Sequence, residues 1–448
     1  MTALETMAAF IARGVRGGVP AATRATAKRH VTDTVGAWIA GACTAEGRAL
    51  IASPALAMTG SDTVCDVGIH CALARLSEID NIHLASSITP GSIVIPTALT
   101  IAANRSDTDT EALLEAIVAG TEAMVRLGLA ISGPTVLYRG IWPTYFAAPF
   151  GVAAAAARLD NLDAEQTAHA LALALTFASP GVGHHNAART SRWFAIGHAA
   201  RNGLIAVEAA QTGFTSDLNL LEGSFLDGIY GITPNVTAFT ENLGQRFALD
   251  DISFKPWCAA RQTIAATQAL LEIIESGVSP DAIVSVEVHV PSPYLKMINH
   301  GVKVGDRASH LTSVQYHLAL AARDLSALYD VEHSPQRIAD DVQAFMQKVS
   351  VSADEALLAH YPKAWPARVV VHTSGAMQEL IVVHGWGDPQ RPFDDRRIEE
   401  KFRRILAPTA AAFAQGLLAH CRAVFDTNRS PAVLAQDIAR VTGRAFKT

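Results

Sequence analysis

An arginine stands at the start of a helix of very small residues in Ser191-Arg192-Trp193-Phe194-Ala195-Ile196-Gly197-His198-Ala199-Ala200-Arg201-Asn202-Gly203. Small residues let a helix lie close against its neighbours, and its first turn offers unpaired N–H groups that suit an anion. Four further segments concentrate functional groups among apolar or small residues. They are Glu78 to Ser92, Arg139-Gly140-Ile141-Trp142-Pro143-Thr144-Tyr145, His184-His185-Asn186, and Phe254-Lys255-Pro256-Trp257-Cys258-Ala259-Ala260-Arg261.

These residue types suit proton transfer beside a carboxylate. A proton next to a carboxylate is very weakly acidic, so the carboxylate must first be neutralised. Arginine forks do this through paired hydrogen bonds, and Arg192, Arg261 and Arg139 are the candidates. Lys255 is a candidate base, since burial near other cations would leave it a usable amine. Tyr145 or His83 would serve the opposite face. Plainer readings stand beside these. Lys255 precedes Pro256 and could be an exposed turn lysine. Arg192 could form a structural ion pair, Asp80 could cap a helix, and His83 and Tyr145 could be packing residues. Tyr316 lies in an apolar helix, where its hydroxyl needs a partner in any case. Adjacent histidines rarely ligate one ion, and no acidic residue at ligand spacing accompanies His184-His185, so no metal is expected. Cys258 has no obvious base and reads as a small buried thiol. Gly181-x-Gly183 has no preceding strand and is no dinucleotide fingerprint.

The elements that must position these groups fall into two kinds. The chain has 448 residues, half of them hydrophobic and 17% charged. That length implies two domains. A formal charge of −6 with no long basic run argues against a nucleic-acid binder. The five cysteines are scattered without a CxxC pair, which fits a reducing compartment. Met1 to Arg16 lacks a signal layout, and the most apolar run, Ala112 to Ile131, is broken by Glu115, Glu122 and Arg126. A cytoplasmic location with no membrane partner is the expectation.

Up to about Asp250, apolar residues recur at helical spacing, and Ala147–Leu159 and Ala168–Phe177 are apolar nearly all round, as in a buried bundle. Near Asp251 the pattern changes. Ala282–Val290 alternates like a half-buried strand, and Ala367–Thr373 with Glu379–His384 reads as a hairpin. Ala259–Glu275 and Ser313–Leu325 read as helices. After Asp388-Pro389, Asp394–Phe402 opens a long helix. The expected architecture is a large all-α domain, 1–250 completed by 389–448, with an inserted α+β lid domain, 251–388.

In order along the chain, these segments resemble the MmgE/PrpD family. The Asp80 stretch resembles the family's acidic segment, Ile88-Thr89-Pro90-Gly91-Ser92 its H-P-S/T-G segment, and Gly140–Thr144 its G-x-H-P-T segment. Arg192–Gly203 resembles its K-x-x-H-x-G-x-A-A-x-x-G block, Phe254–Arg261 its lysine-to-arginine block, and Ser313–Tyr316 its S-x-x-Y helix. The resemblance implies a homodimer, no active-site metal and no cofactor. Dehydratase and decarboxylase relatives place histidines where this chain has Thr89 and Trp142, and a family lysine becomes Arg192. Arginine transfers protons poorly but grips carboxylates well. The resemblance therefore implies epimerisation of an amino-dicarboxylate such as iminodisuccinate, with a 2-methylcitrate dehydratase-like or cis-aconitate decarboxylase-like lyase as the alternative. Together with the chemistry above, this gives Lys255, Tyr145, His83 and Asp80 as catalytic candidates and Arg192, Arg261, Tyr316 and Thr89 as substrate-binding candidates.

Overall fold

The computed structural model describes residues 1–53, 62–105, 108–179, 190–332, 337–426 and 430–443. They form two compact units. The helices of 1–252 and 395–443 make one, and Ser253–Asp394 makes the body of the other. The first is helical and the second contains a small mixed sheet, so the expected two-domain class is observed. No helix among the described residues is long and apolar enough to cross a membrane.

The helical unit is held together by close crossings at glycine. A Cβ on Gly197, in the Ser191–Gln211 helix, would stand 2.7 Å from the Gly68 carbonyl oxygen of the Asp62–Leu76 helix, and one on Gly68 would stand 2.8 Å from that of Gly197. A Cβ on Gly203 would come within 2.3 Å of the Pro149 carbonyl oxygen. The Ser191–Gln211 helix therefore lies directly on two neighbours. One of them, Pro143–Leu159, is buried on every side except at Arg158, matching its apolar text. The Ala21–Ala42 helix buries every residue from His30 onward. The C-terminal segment packs on it, and a Cβ on Gly36 would meet Phe402 at 2.8 Å. That segment is three helices, Asp395–Leu406, Ala411–Arg422 and Pro431–Thr442, where one long helix was expected. Pro408 explains the first break, since it cannot supply a helical N–H.

The second unit carries strands β1 (Ile283–Val290), β2 (Val349–Ala353), β3 (Ala367–Thr373) and β4 (Met377–Val382), in the order β2-β1-β3-β4. The β3–β4 hairpin is antiparallel as expected, although β4 begins two residues earlier than its text suggests. Strand β2 was not legible. Its residues Val349-Ser350-Val351-Ser352-Ala353 do alternate, but they are few, mostly exposed, and pair in parallel with β1 along a sheet edge. Helix Arg261–Glu275 packs under β3 and β4, and Val314–Arg323 packs beside it.

Two consequences are measurable. Gly203→Ala should destabilise the protein by about 1–3 kcal/mol through overpacking. Gly416→Ala, in an exposed helix with open space at its Cβ, should stabilise by about 0.5–1 kcal/mol. Urea titrations read both, and equal effects would refute the crossing argument. Burial, opposed by a backbone hydrogen bond and assisted by Arg29 and Lys401, pushes His30 down from 6.5 to about 3. The unfolded chain therefore binds this proton first, so stability rises with pH. The melting temperature should fall as pH drops from 6.5 towards 3, and His30→Asn should flatten part of that slope.

Candidate functional site

The Asp62–Leu76 helix ends in a turn that gathers charge inside the helical unit. Glu78 adopts φ +56°, a left-handed conformation costly for a residue with a side chain. Ser77 supports this turn by donating to the Ala74 carbonyl and accepting from the Ile79 N–H. The turn places two carboxylates around Arg75, with its Nη1 2.8 Å from Glu78 Oε2 and 3.3 Å from Asp80 Oδ1. Ser92 donates to Asp80 Oδ2 at 2.9 Å. Across the Gly68–Gly197 crossing, Arg192 Nη2 reaches Glu78 Oε1 at 2.9 Å, and the Trp193 indole donates to the same oxygen at 3.4 Å. The charges alternate Asp80, Arg75, Glu78, Arg192, and all four residues are buried.

Beside this chain of charges lies the start of the Pro143–Leu159 helix. The Arg192 guanidinium sits 4.6 Å from the centre of the Trp142 ring, in cation–π range. Trp142 meets Tyr145 edge-on at 5.7 Å. Tyr145 is 1% exposed, and its hydroxyl makes no hydrogen bond of good geometry. Burial raises its pKa, while the Arg192 and Arg75 charges and a hydrogen bond from Arg192 pull the other way and Glu78 adds to the rise. The phenol therefore keeps its proton at neutral pH. Burial also works against the charge on Arg75, but Asp80 and Glu78 more than offset it and hold its pKa above the ordinary value. The Nε atoms of Arg75 and Arg192 and the Trp142 Nε1 have no partner either. Unpaired buried donors of this kind are costly unless something accepts from them. Thr89 adjoins the same helix start, its N–H donating to Thr144 Oγ1 at 3.0 Å and its hydroxyl lying 3.2 Å from that atom.

Asp80, Arg192 and Tyr145 are thus brought together, with Thr89 at the adjoining helix start. Both Asp80 oxygens are engaged, which is the geometry of a positioning group rather than of a free base. His83 is placed differently. Its Nδ1 pairs with Ser86 Oγ at 2.9 Å, and its charged neighbours are Asp251 and Arg246. Burial pushes it down to about 4, with Asp251 opposing and Arg246 adding to the fall. Arg139 does not supply a carboxylate fork. It is spent on the carbonyls of Tyr230 and Gly231, at the end of the Phe225–Tyr230 helix. His184, His185 and Asn186 lie outside the described residues.

Lys255, Arg261 and Tyr316 belong to the second unit. Lys255 is 3% exposed, so the exposed-turn reading is overturned. Its segment is pinned by Phe254 N–H to the Gly387 carbonyl, Cys258 N–H to Leu328 and Ala260 N–H to Leu311. Gly387, at φ +88°, is required there, because a Cβ would stand 2.4 Å from the Phe254 carbonyl oxygen. Arg261 Nη2 lies 2.7 Å from each oxygen of Asp388, so half its fork is committed to a structural pair, while Nε and Nη1 have no partner. The Tyr316 hydroxyl is pushed up to about 12 by burial, then by Asp330 and Asp324, and the ring meets His310 edge-on at 5.0 Å.

Sequence reasoning missed Arg75, Asp388 and the bridging role of Glu78. The signal for the first and third was available as Arg75-x-x-Glu78-x-Asp80, three charges in apolar text. Asp388 is 127 residues from Arg261 and carried none. Among the described residues, no group of three His, Cys, Asp or Glu side chains could hold a metal ion.

No curated protein matches the chain. The MmgE/PrpD N-terminal domain matches residues 5–233 and the MmgE/PrpD C-terminal domain matches residues 257–422. Together these matches span most of the 448 residues, and the chain belongs to the MmgE/PrpD family, a family of enzymes.

Proposed function

We propose that this family member is a cofactor-independent epimerase of iminodisuccinate or a similar amino-dicarboxylate. It would remove and return a proton at the carbon next to a carboxylate. The observation that carries this reading is the surroundings of Arg192. The guanidinium lies on the Trp142 ring and beside a protonated Tyr145, and by the resemblance Thr89 and Trp142 stand where lyase relatives place histidines. Expelling a hydroxyl or a carboxylate calls for a proton carrier near neutral pH. An indole and a threonine do not provide one, whereas an arginine beside a phenol suits a substrate whose carboxylate must be neutralised while one proton is exchanged.

In this proposal Arg192 binds a substrate carboxylate with donors not spent on Glu78. Negative charge then spreads onto that carboxylate when the Cα proton leaves. Tyr145 returns a proton to one face. Lys255 is the proposed group for the opposite transfer, and Arg261 and Tyr316 are proposed substrate contacts. Asp80 orients Arg75. His83, neutral but turned to other neighbours, is the weaker candidate. A second copy of the chain is the proposed partner, which light scattering checks.

Wild-type enzyme in D₂O should place deuterium at Cα of iminodisuccinate, followed by NMR. A product with a new ultraviolet-absorbing double bond, and no deuterium at Cα, would make the protein a lyase. Tyr145→Phe removes a hydroxyl that makes no good hydrogen bond, so stability should hold. kcat should fall by about 10²–10⁴-fold with KM little changed, and an unchanged kcat would leave Tyr145 as packing. Lys255→Ala should abolish exchange in a folded protein, and a wild-type rate would remove the lysine from the mechanism. Arg192→Ala should act mainly by raising KM.

A further inference from the structure

The turn that carries Glu78 and Asp80 is held from behind by a buried group that no catalytic role requires. Lys401 lies in the Asp395–Leu406 helix, more than 300 residues along the chain from that turn. It is 4% exposed and pairs with Asp33 of the Ala21–Ala42 helix. Its Nζ also donates to the Ile79 carbonyl at 3.1 Å. Ile79 is the single residue between the two carboxylates that hold Arg75 and Arg192. A second support lies two residues further on. His30 Nδ1 and the Asn81 side-chain amide are 3.0 Å apart, and Asn81 Oδ1 accepts from the Gly91 N–H at 3.1 Å. The Ala21–Ala42 helix thus reaches the turn twice, through His30 directly and through Asp33 by way of Lys401. Gly91 must be glycine here, because a Cβ would fall 2.4 Å from the Asn81 amide.

We infer that Lys401, held by Asp33, is a positioning residue for the Glu78–Arg192 pair. A carbonyl in a left-handed turn buried from water needs a donor, and the Lys401 ammonium is that donor. Without it the Ile79 peptide rotates to find another partner, which swings Glu78 on one side and Asp80 on the other. Arg192 follows Glu78, and the guanidinium leaves its place over Trp142. The C-terminal segment therefore sets the geometry of an arginine it never touches. The inference deepens the reading of Arg192 as the substrate-carboxylate group and rests on it.

The test compares Lys401→Met with the double variant Asp33→Asn/Lys401→Gln. The first removes the donor and takes the ammonium from the buried Asp33 carboxylate. The second keeps a donor towards Ile79 with neutral amides, so it stays folded if the single variant does not. Hydrogen–deuterium exchange of the peptide amides of 77–82, read by mass spectrometry, reports the turn without any substrate. Exchange there should speed up by about tenfold or more in Lys401→Met and return towards wild type in the double variant. kcat of the wild-type reaction should fall by about 10–100-fold with Lys401→Met and be rescued in the double variant. Should Lys401→Met not fold, the double variant decides alone, and near-wild-type protection and kcat are required of it. Unchanged protection of 77–82 in Lys401→Met overturns the inference. So does faster exchange with unchanged kcat. A wild-type protein that forms an unsaturated product without Cα exchange refutes the epimerase reading instead, and kcat is then read on that product, leaving the Lys401 arms decisive.

Discussion

One carboxylate shared by two guanidinium groups holds the candidate site in shape. Each ion taken out of water costs several kcal/mol, and only close pairing offsets it. Glu78 meets that demand for Arg75 and Arg192 at once, while Asp80 gives Arg75 its second partner. Removing Glu78 would take the carboxylate partner from Arg192 and one of two from Arg75, and removing Arg75 would take a cation from both carboxylates. The cluster is therefore intolerant of partial loss. It also carries no net charge, so an anionic substrate is not attracted to a bare positive well. What the site presents are directed donors, the Nε–H of Arg192 and the hydroxyl of Tyr145. Directed donors in a dry setting stabilise developing charge better than a diffuse field does.

Trp142 explains how Arg192 stays ordered with so few hydrogen bonds. A guanidinium over an indole face gains about 0.5–2 kcal/mol, without a partner that would compete for its N–H groups. A histidine in that position would offer a titrating proton but a smaller face. Tryptophan here orients a cation and carries no titrating proton.

The parts of this architecture that were legible from sequence are those written in local pattern. The buried Pro143–Leu159 helix, strand β1 and the β3–β4 hairpin show their periodicity directly in the text. The close crossings were implied by Gly197 and Gly203, because little else explains so many small residues in one helix. Strand β2 was not legible, since five mostly exposed residues bury too little to impose a pattern. The break after Leu406 was marked by Pro408 but hidden by the strong charge pattern before it. Within the site, Arg192, Asp80 and Tyr145 announced themselves by standing in small-residue or apolar text. Pairing partners did not. That Arg261 would be half spent on Asp388, or that Lys401 would reach Ile79, depends on tertiary approach between distant segments, which no local spacing encodes.

Helix crossings translate the small residues into the position of the charges. Arg75 lies seven residues past Gly68, about 10 Å along its helix, and Arg192 lies five residues before Gly197, about 7 Å along its own. The two glycines touch, so both charged ends project to the same side of the contact when the helices run in opposing directions. Their guanidinium groups then come within reach of one carboxylate, which the left-handed turn at Glu78 delivers between them. Side chains at the crossing would force the axes apart by an ångström or more, and a hydrogen bond of 2.9 Å does not survive that. The glycines and the charges are therefore one device. Close packing sets the distance, and the shared carboxylate converts that distance into the orientation of Arg192.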